Sequence, residues 1–199
     1  MAFQHFSFPQ VVRDLGLTVA SADLYHAIPP ATLRPDFLEN LADEAGFAGI
    51  LHTEKARSEF IIAPVLWELR RRHPGKFGLF SGVELDADST RGLNGVCDFL
   101  LTRSPQQYLI EGPLLSIVEV KNDNTKNGLG QCIASMVAAQ VVNQARGESA
   151  GNVIYGVVTT GTLWKFLRLS DTTVTIDEVE YAINDAAKIM GILDDIVAP

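Results

Sequence analysis

Three stretches of this chain, 95–102, 114–121 and 153–159, are apolar almost from end to end. A strand with one wet face alternates apolar and polar residues, so a strand apolar on both sides needs cover on both faces. Helices must then lie above and below the sheet, and the intervening segments can supply them. Residues 35–45 place Leu38, Leu41 and Ala45 at helical spacing, with Gly46 as the expected stop. Residues 54–73 carry the stripe Phe60, Ile61, Val65, Leu66 and Leu69, with Pro64 expected to kink or restart the helix. Residues 127–146 form a long helix rich in small side chains, and Ala134, Ala138 and Ala139 would let it approach a sheet closely. Residues 181–197 close the chain as an amphipathic helix, with Ile183, Ala186, Ala187, Met190, Leu193 and Val197 on one face. Further strands are expected at 77–85 and 163–169.

The expected class is therefore α/β, a central mixed sheet flanked by helices. The 199 residues read as one domain. A mainly helical section covers 1–50, a core covers 54–170, and the helix at 181–197 follows. Apolar residues make up 47% of the chain, enough to fill a core at this length. No apolar run reaches membrane-spanning length, and residues 1–8 lack the basic-then-apolar pattern of a secretory signal. Cys97 and Cys132 form no CxxC or zinc spacing and lie in apolar surroundings, so buried reduced thiols in a cytoplasmic protein are expected. The net charge of −8 argues against coating nucleic acid by bulk charge, but leaves room for an enzyme with a local positive strip.

Against this background a few charged residues are out of place. In Leu114-Leu115-Ser116-Ile117-Val118-Glu119-Val120-Lys121, alternation puts Leu115, Ile117, Glu119 and Lys121 on one face. A covered strand should not end in a carboxylate and an ammonium unless they are paired or bind something. Gly95-Val96-Cys97-Asp98-Phe99-Leu100-Leu101 holds a single acid, Asp98, which can lie beside Glu119 if the two strands pair. Two carboxylates in one partly buried place repel, and a divalent cation removes the conflict. The Val120 carbonyl could add a third hard oxygen. Lys121 would position the attacking water or neutralise charge developing on a phosphate. The competing reading is structural: a solvated strand end at Glu119 and Lys121, and a turn cap at Asp98.

These residues resemble the PD-(D/E)XK nuclease superfamily, whose pattern is an acid in one strand and an acid-x-Lys at the end of the next. The matching stretches are Gly95-Val96-Cys97-Asp98 and Glu119-Val120-Lys121. Glu59 fits the glutamate found on the helix before the strands, and Gln131 lies near the start of the helix after them. The stretch 155–166 resembles the late hairpin in N-terminal nuclease domains of restriction subunits. The resemblance spans about residues 54–170. Cys97 stands where proline occurs in the named pattern, and Ser135 stands where the RecB-type form has a tyrosine.

The resemblance implies a restriction-endonuclease-like sheet and a Mg²⁺- or Mn²⁺-dependent nuclease. Asp98, Glu119 and the Val120 carbonyl would hold the metal, Lys121 would position water, and Glu59 would assist. The partner would be nucleic acid, DNA foremost, and a homodimer is expected because the two-fold of a duplex suits an isologous pair. The alternatives are a catalytically silent binding module on the same fold, and a small-molecule or partner-binding domain whose acid cluster is structural. Glu84, Asp86 and Asp88 read as a solvated segment, and Asn122, Asp123 and Asn124 as turn and capping chemistry. Arg70, Arg71 and Arg72 fit a helix C-terminus as well as a phosphate grip. No histidine shows ligand spacing, and Trp164 and Phe166 read as core.

Overall fold

The computed structural model describes residues 3–122, 124–148 and 153–198. Seven strands form one mixed sheet in the order β1-β7-β6-β5-β4-β3-β2. They are β1 (Thr18–Ala22), β2 (Gly78–Asp88), β3 (Leu93–Thr102), β4 (Leu114–Val120), β5 (Val153–Thr159), β6 (Leu163–Ser170) and β7 (Thr173–Ala182). β4 runs parallel to β5 and antiparallel to β3. Every residue of β4 is buried, as its unbroken apolar run requires of an interior strand.

Helices cover both faces. On one side lie α1 (Phe8–Asp14) and α5 (Leu129–Ala145), packed over Leu100, Ile117 and Val158. The other carries α2 (Pro35–Leu51), α4 (Ala63–Arg72) and α6 (Ala186–Val197), over Val118, Val120 and Phe166. Ala134, Ala138 and Ala139 are fully buried, as their small size led one to expect. The sheet reciprocates: a Cβ on Gly156 would meet Met136 Sδ at 2.4 Å and Cys132 Sγ at 2.9 Å. Both cysteines are free and buried. Among the described residues no helix is long and apolar enough to cross a membrane.

Several sequence expectations need correction. Section 1–50 is less helical than expected, because Thr18–Ala22 is an edge strand paired in parallel with β7. β7 itself was read partly as the closing helix, which starts only at Ala186, after a 3-10 turn at Ile183–Asp185. α2 does not stop at Gly46. It runs through Gly46 and Gly49 to a left-handed cap at His52, φ 50°, with buried Phe37, Leu41 and Ala48 offsetting the helix-weakening glycines. The strand expected at 77–85 extends to Asp88, whose side chain caps the next turn by accepting from the Thr90 and Arg91 N–H groups. Of the kink or restart expected at Pro64, the restart is what forms. α3 (Glu54–Arg57) passes into a π-helical turn, Ser58–Ile62, and Pro64 then opens α4. Leu115 packs on the face opposite Ile117, because a bulge between Leu101 and Thr102 breaks the alternation of β4.

The arginine run is largely engaged within the fold. Arg72 and His73 bind Asp194 of α6, Arg71 lies 3.7 Å from Glu68, and Arg70 sits over the Phe77 ring. Trp164 is fully buried and donates through Nε1 to the Gly161 carbonyl, which agrees with the core reading.

Gly130 fixes the N-terminal segment against α5. A Cβ there would meet the Phe6 carbonyl oxygen at 2.1 Å, and backbone cannot swing aside as a side chain can. Gly130→Ala is expected to lose about 1–3 kcal/mol of stability despite alanine's better helix propensity, measured by urea unfolding. Unchanged or raised stability would mean that residues 6–7 are not held against the helix.

Candidate metal centre

The ladder between β3 and β4 ends at the pair Phe99 and Val118, one residue short of Asp98 and Glu119. Where the backbone rungs stop, the Asp98 side chain takes over: its Oδ2 accepts from the Val120 N–H at 2.8 Å. On the other side of β3 the rungs flank Asp98 at Ser81 with Phe99 and at Val83 with Cys97. The intervening Gly82 has φ +63°, a left-handed conformation glycine adopts without strain. The backbone is thus irregular around one acid, which sits half-buried at the sheet's surface.

Glu119 lies deeper, with no exposed surface. Oε2 accepts from Gln131 Nε2 at 2.5 Å and Oε1 from Ser135 Oγ at 3.2 Å, both donors being on the first turns of α5. The glutamine that the resemblance put near this helix start therefore touches the acid. Ser135, four residues on, faces it too, as i and i+4 share a helix face. Burial pushes the Glu119 carboxyl well above the usual carboxylate range. The nearby Asp98 pushes it further, both as a like charge and as a hydrogen-bond partner, and Lys121 opposes them. Asp98 and Glu119 are thus near enough for each to act on the other's charge.

Lys121 shares the face of Glu119. Its aliphatic stem runs along Gly128, where a Cβ would meet Lys121 Cγ at 2.9 Å, and its N–H donates to the Thr159 carbonyl at 2.8 Å. Among the described residues, neither Asp98, Glu119 nor Lys121 takes part in an ion pair within 4 Å. The solvated strand end of the competing reading does not describe Glu119, which has no exposed surface.

A cavity of about 380 Å³ opens beside Asp98 and Val120, bounded by Glu54, Lys55, Ser58, Glu59 and Ser81. Glu59 therefore lines the same cavity as Asp98, but it does not join the acid pair. Its side chain is over half exposed and its carboxylate pairs with Lys55 at 2.7 Å, one turn back. The π-helical turn carries Glu59, so its direction could not be read from a 3.6-residue wheel. Glu54, not singled out in the sequence, also borders the cavity and accepts from the Asn122 N–H at 3.1 Å. Thr53 caps this helix start, which marks position 54 as a first-turn acid, although only tertiary packing aims it at the loop after β4. Of the expected turn residues, Asn124 caps the next 3-10 turn by accepting from the Asn127 N–H, and Asp123 lies outside the described residues. The Asn122 Oδ1 is buried with no hydrogen-bond partner among the described residues.

Among the described residues no three or more His, Cys, Asp and Glu side chains gather into a cluster able to hold a metal. What is present is a pair of carboxylates, one wholly buried and neither in an ion pair within 4 Å among the described residues, with the Val120 backbone at the cavity wall. This hard-oxygen set fits an ion such as Mg²⁺, which uses one or two carboxylates and keeps several waters. Soft ligands stay out of play: burial, with Glu119 and Asp98 nearby, pushes the Cys97 thiol up to about 12, and burial likewise raises Cys132. Comparison of the chain with protein-family models and with curated proteins finds no match.

The raised Glu119 pKa has a direct consequence for metal-free protein. The fold holds this proton to higher pH than the unfolded chain does, so stability falls as pH rises from about 4.3 towards the raised value. Glu119→Gln removes the titration and can donate to Asp98. Its melting temperature in chelator should exceed that of wild type by a margin that grows with pH. Parallel curves from pH 5 to 8 would show that Glu119 ionises without penalty.

Proposed function

We propose that this chain is a divalent-metal-dependent nuclease that hydrolyses nucleic-acid phosphodiesters, DNA foremost, using Mg²⁺ or Mn²⁺. The observation that carries this reading is the Asp98 and Glu119 pair, a half-buried acid near a fully buried one, neither in an ion pair within 4 Å among the described residues. Folding two carboxylates together is unfavourable unless an ion or a proton intervenes, and such sites are concentrated where chemistry is done. The arrangement also suits the PD-(D/E)XK resemblance: an acid on one strand and an acid-x-Lys at the end of its antiparallel neighbour.

In this reading Asp98, Glu119 and the Val120 carbonyl hold the ion. When bound, a divalent ion there neutralises phosphate charge and makes water more acidic. Gln131 and Ser135 fix the Glu119 carboxylate so that it needs no reorganisation. Lys121, its stem held along Gly128, donates N–H bonds to the attacking water and favours its loss of a proton. Glu59, on the opposite cavity wall, accepts from a second water once it leaves Lys55. With acids outnumbering cations in the cavity, phosphate would approach only after an ion is in place. A reducing cytoplasm suits the two free thiols, and an isologous dimer would give one site per strand of a duplex.

Asp98→Ala and Lys121→Ala, compared side by side, test the assignment. Calorimetric titration with Mn²⁺ should show binding to wild type, loss of binding in Asp98→Ala, and equal or tighter binding in Lys121→Ala, where a competing charge is gone. Cleavage of mixed single- and double-stranded substrates should fall in both, by roughly 10²–10³ for Lys121→Ala. Metal binding without cleavage in wild type would favour the silent binding module. Absence of metal binding in wild type would sink the site.

A further inference from the structure

Beside the acid cavity lies a second hollow of about 340 Å³, and the two share Ser58, Glu59 and Ser81 as their common wall. The character of the surface changes across that wall. The second hollow is lined by Ala63, Trp67, Leu79 and Phe99. Phe99 follows Asp98 directly on β3, so the apolar hollow begins one residue from the acid pair. Trp67 stands out among its apolar neighbours. It keeps 62% of its surface exposed on a helix whose Val65, Leu66 and Leu69 are buried, whereas Trp164 is wholly buried. Arg71, one turn on and half exposed, borders a further shallow hollow together with Trp67.

We infer that Trp67 is a stacking shelf for an unpaired nucleobase next to the scissile phosphate, so that the substrate is a single-stranded or locally unpaired nucleic-acid segment. The inference rests on the nuclease reading for the position of the phosphate. Three observations select this occupant. The hollow, about 340 Å³, has room for a flat ring between Trp67, Leu79 and Phe99. Two serine hydroxyls and the Glu59 carboxylate rim the apolar floor, giving donors and acceptors to a heterocycle's edge. The cavity beside it holds Lys55 as its sole cationic side chain among the described lining residues, against Glu54, Glu59 and Asp98. Duplex grip depends on many phosphate contacts, while single strands are held substantially by base stacking on aromatic side chains. A site poor in cations and furnished with an exposed indole suits the second mode. A paired base, already stacked within its helix, cannot reach the shelf.

Trp67 is its own reporter, because Trp164 is shielded from solvent. The protein used is Asp98→Asn in chelator, which cannot cut under the nuclease reading and carries less repulsive charge at the cavity. The probes are octathymidylate, octauridylate and a blunt eight-base-pair duplex. Either single strand should quench the tryptophan emission saturably, and the arm that binds more tightly identifies the sugar. The duplex should not quench. Trp67→Phe in the same background should lose the quenching yet keep most of the affinity by fluorescence anisotropy of a labelled strand. Trp67→Ala should weaken it roughly tenfold or more. In protein with Asp98 intact, Trp67→Ala should raise KM for single strands while leaving kcat within about twofold. No quenching by either strand, or equal quenching by the duplex, overturns the shelf. Quenching without cleavage by the wild type would leave the shelf standing and overturn the nuclease reading. Cleavage without quenching would do the reverse.

Discussion

A carboxylate with no exposed surface stands at the end of an interior strand of the sheet, and the surrounding structure is organised around keeping it there. Glu119 sits where β4 leaves the ladder with β3, and an unsatisfied charge at that depth would cost several kcal/mol. Two features reduce that cost: Gln131 and Ser135 supply neutral donors from α5, and Lys121 supplies opposite charge from the same strand, whereas the like charge of Asp98 adds to it and favours retention of a proton. Each depends on a larger element being in position. α5 reaches the acid only because Gly156 and the buried alanines let helix and sheet approach, and Lys121 lies along the chain only because Gly128 has no side chain.

The opposite wall of the site is built with less redundancy. α3 is a single turn, and its continuation into a π-helical turn shifts the angular position of Glu59 relative to Leu66 and Leu69. Ala63 N–H bonds the Ser58 carbonyl five residues back, widening the helix where it borders the cavity. Glu54 ties this wall to the chain after β4 through the Asn122 N–H, and Arg57 ties it to the Thr160 carbonyl. The acid strands are therefore held by a deep ladder and a long helix. The wall that faces them is anchored in the core by Ala56, Ile61 and Ile62, and these polar contacts fix its edge against the cavity.

What the sequence revealed of this architecture follows from how locally each feature is encoded. The buried strands β3, β4 and β5 were legible because unbroken apolar runs mean cover on both faces, and Asp98 and Glu119 stood out because covered strands rarely hold acids. The edge pair β1 and β7 was not. Thr18–Ala22 is short and half polar, and Thr173–Ala182 mixes Asp177, Glu178 and Glu180 into its pattern, so neither has an apolar period of its own. Their pairing is a tertiary fact. The side of β4 taken by Leu115 was misread for a similar reason, since a bulge is set by the partner strand's register. Gln131 was placed by resemblance alone. Trp67 was not singled out, although it falls outside the stripe Phe60, Ile61, Val65, Leu66 and Leu69, and the structure leaves it uncovered.

That contrast bears on how the site divides its work. The acid pair is expensive to fold and therefore rigidly supported, while the apolar shelf beside it costs nothing to fold because nothing is packed on it. A buried charge needs its donors built in advance, since reorganising them during a reaction would return the desolvation cost at the moment of chemistry. An exposed indole needs no such support. Its area stays in water until a ligand covers it, and covering it is favourable whichever base does so. Under the proposed nuclease reading, rigid chemistry at Asp98 and Glu119 would thus adjoin tolerant recognition at Trp67, Phe99 lying one residue from Asp98 along β3.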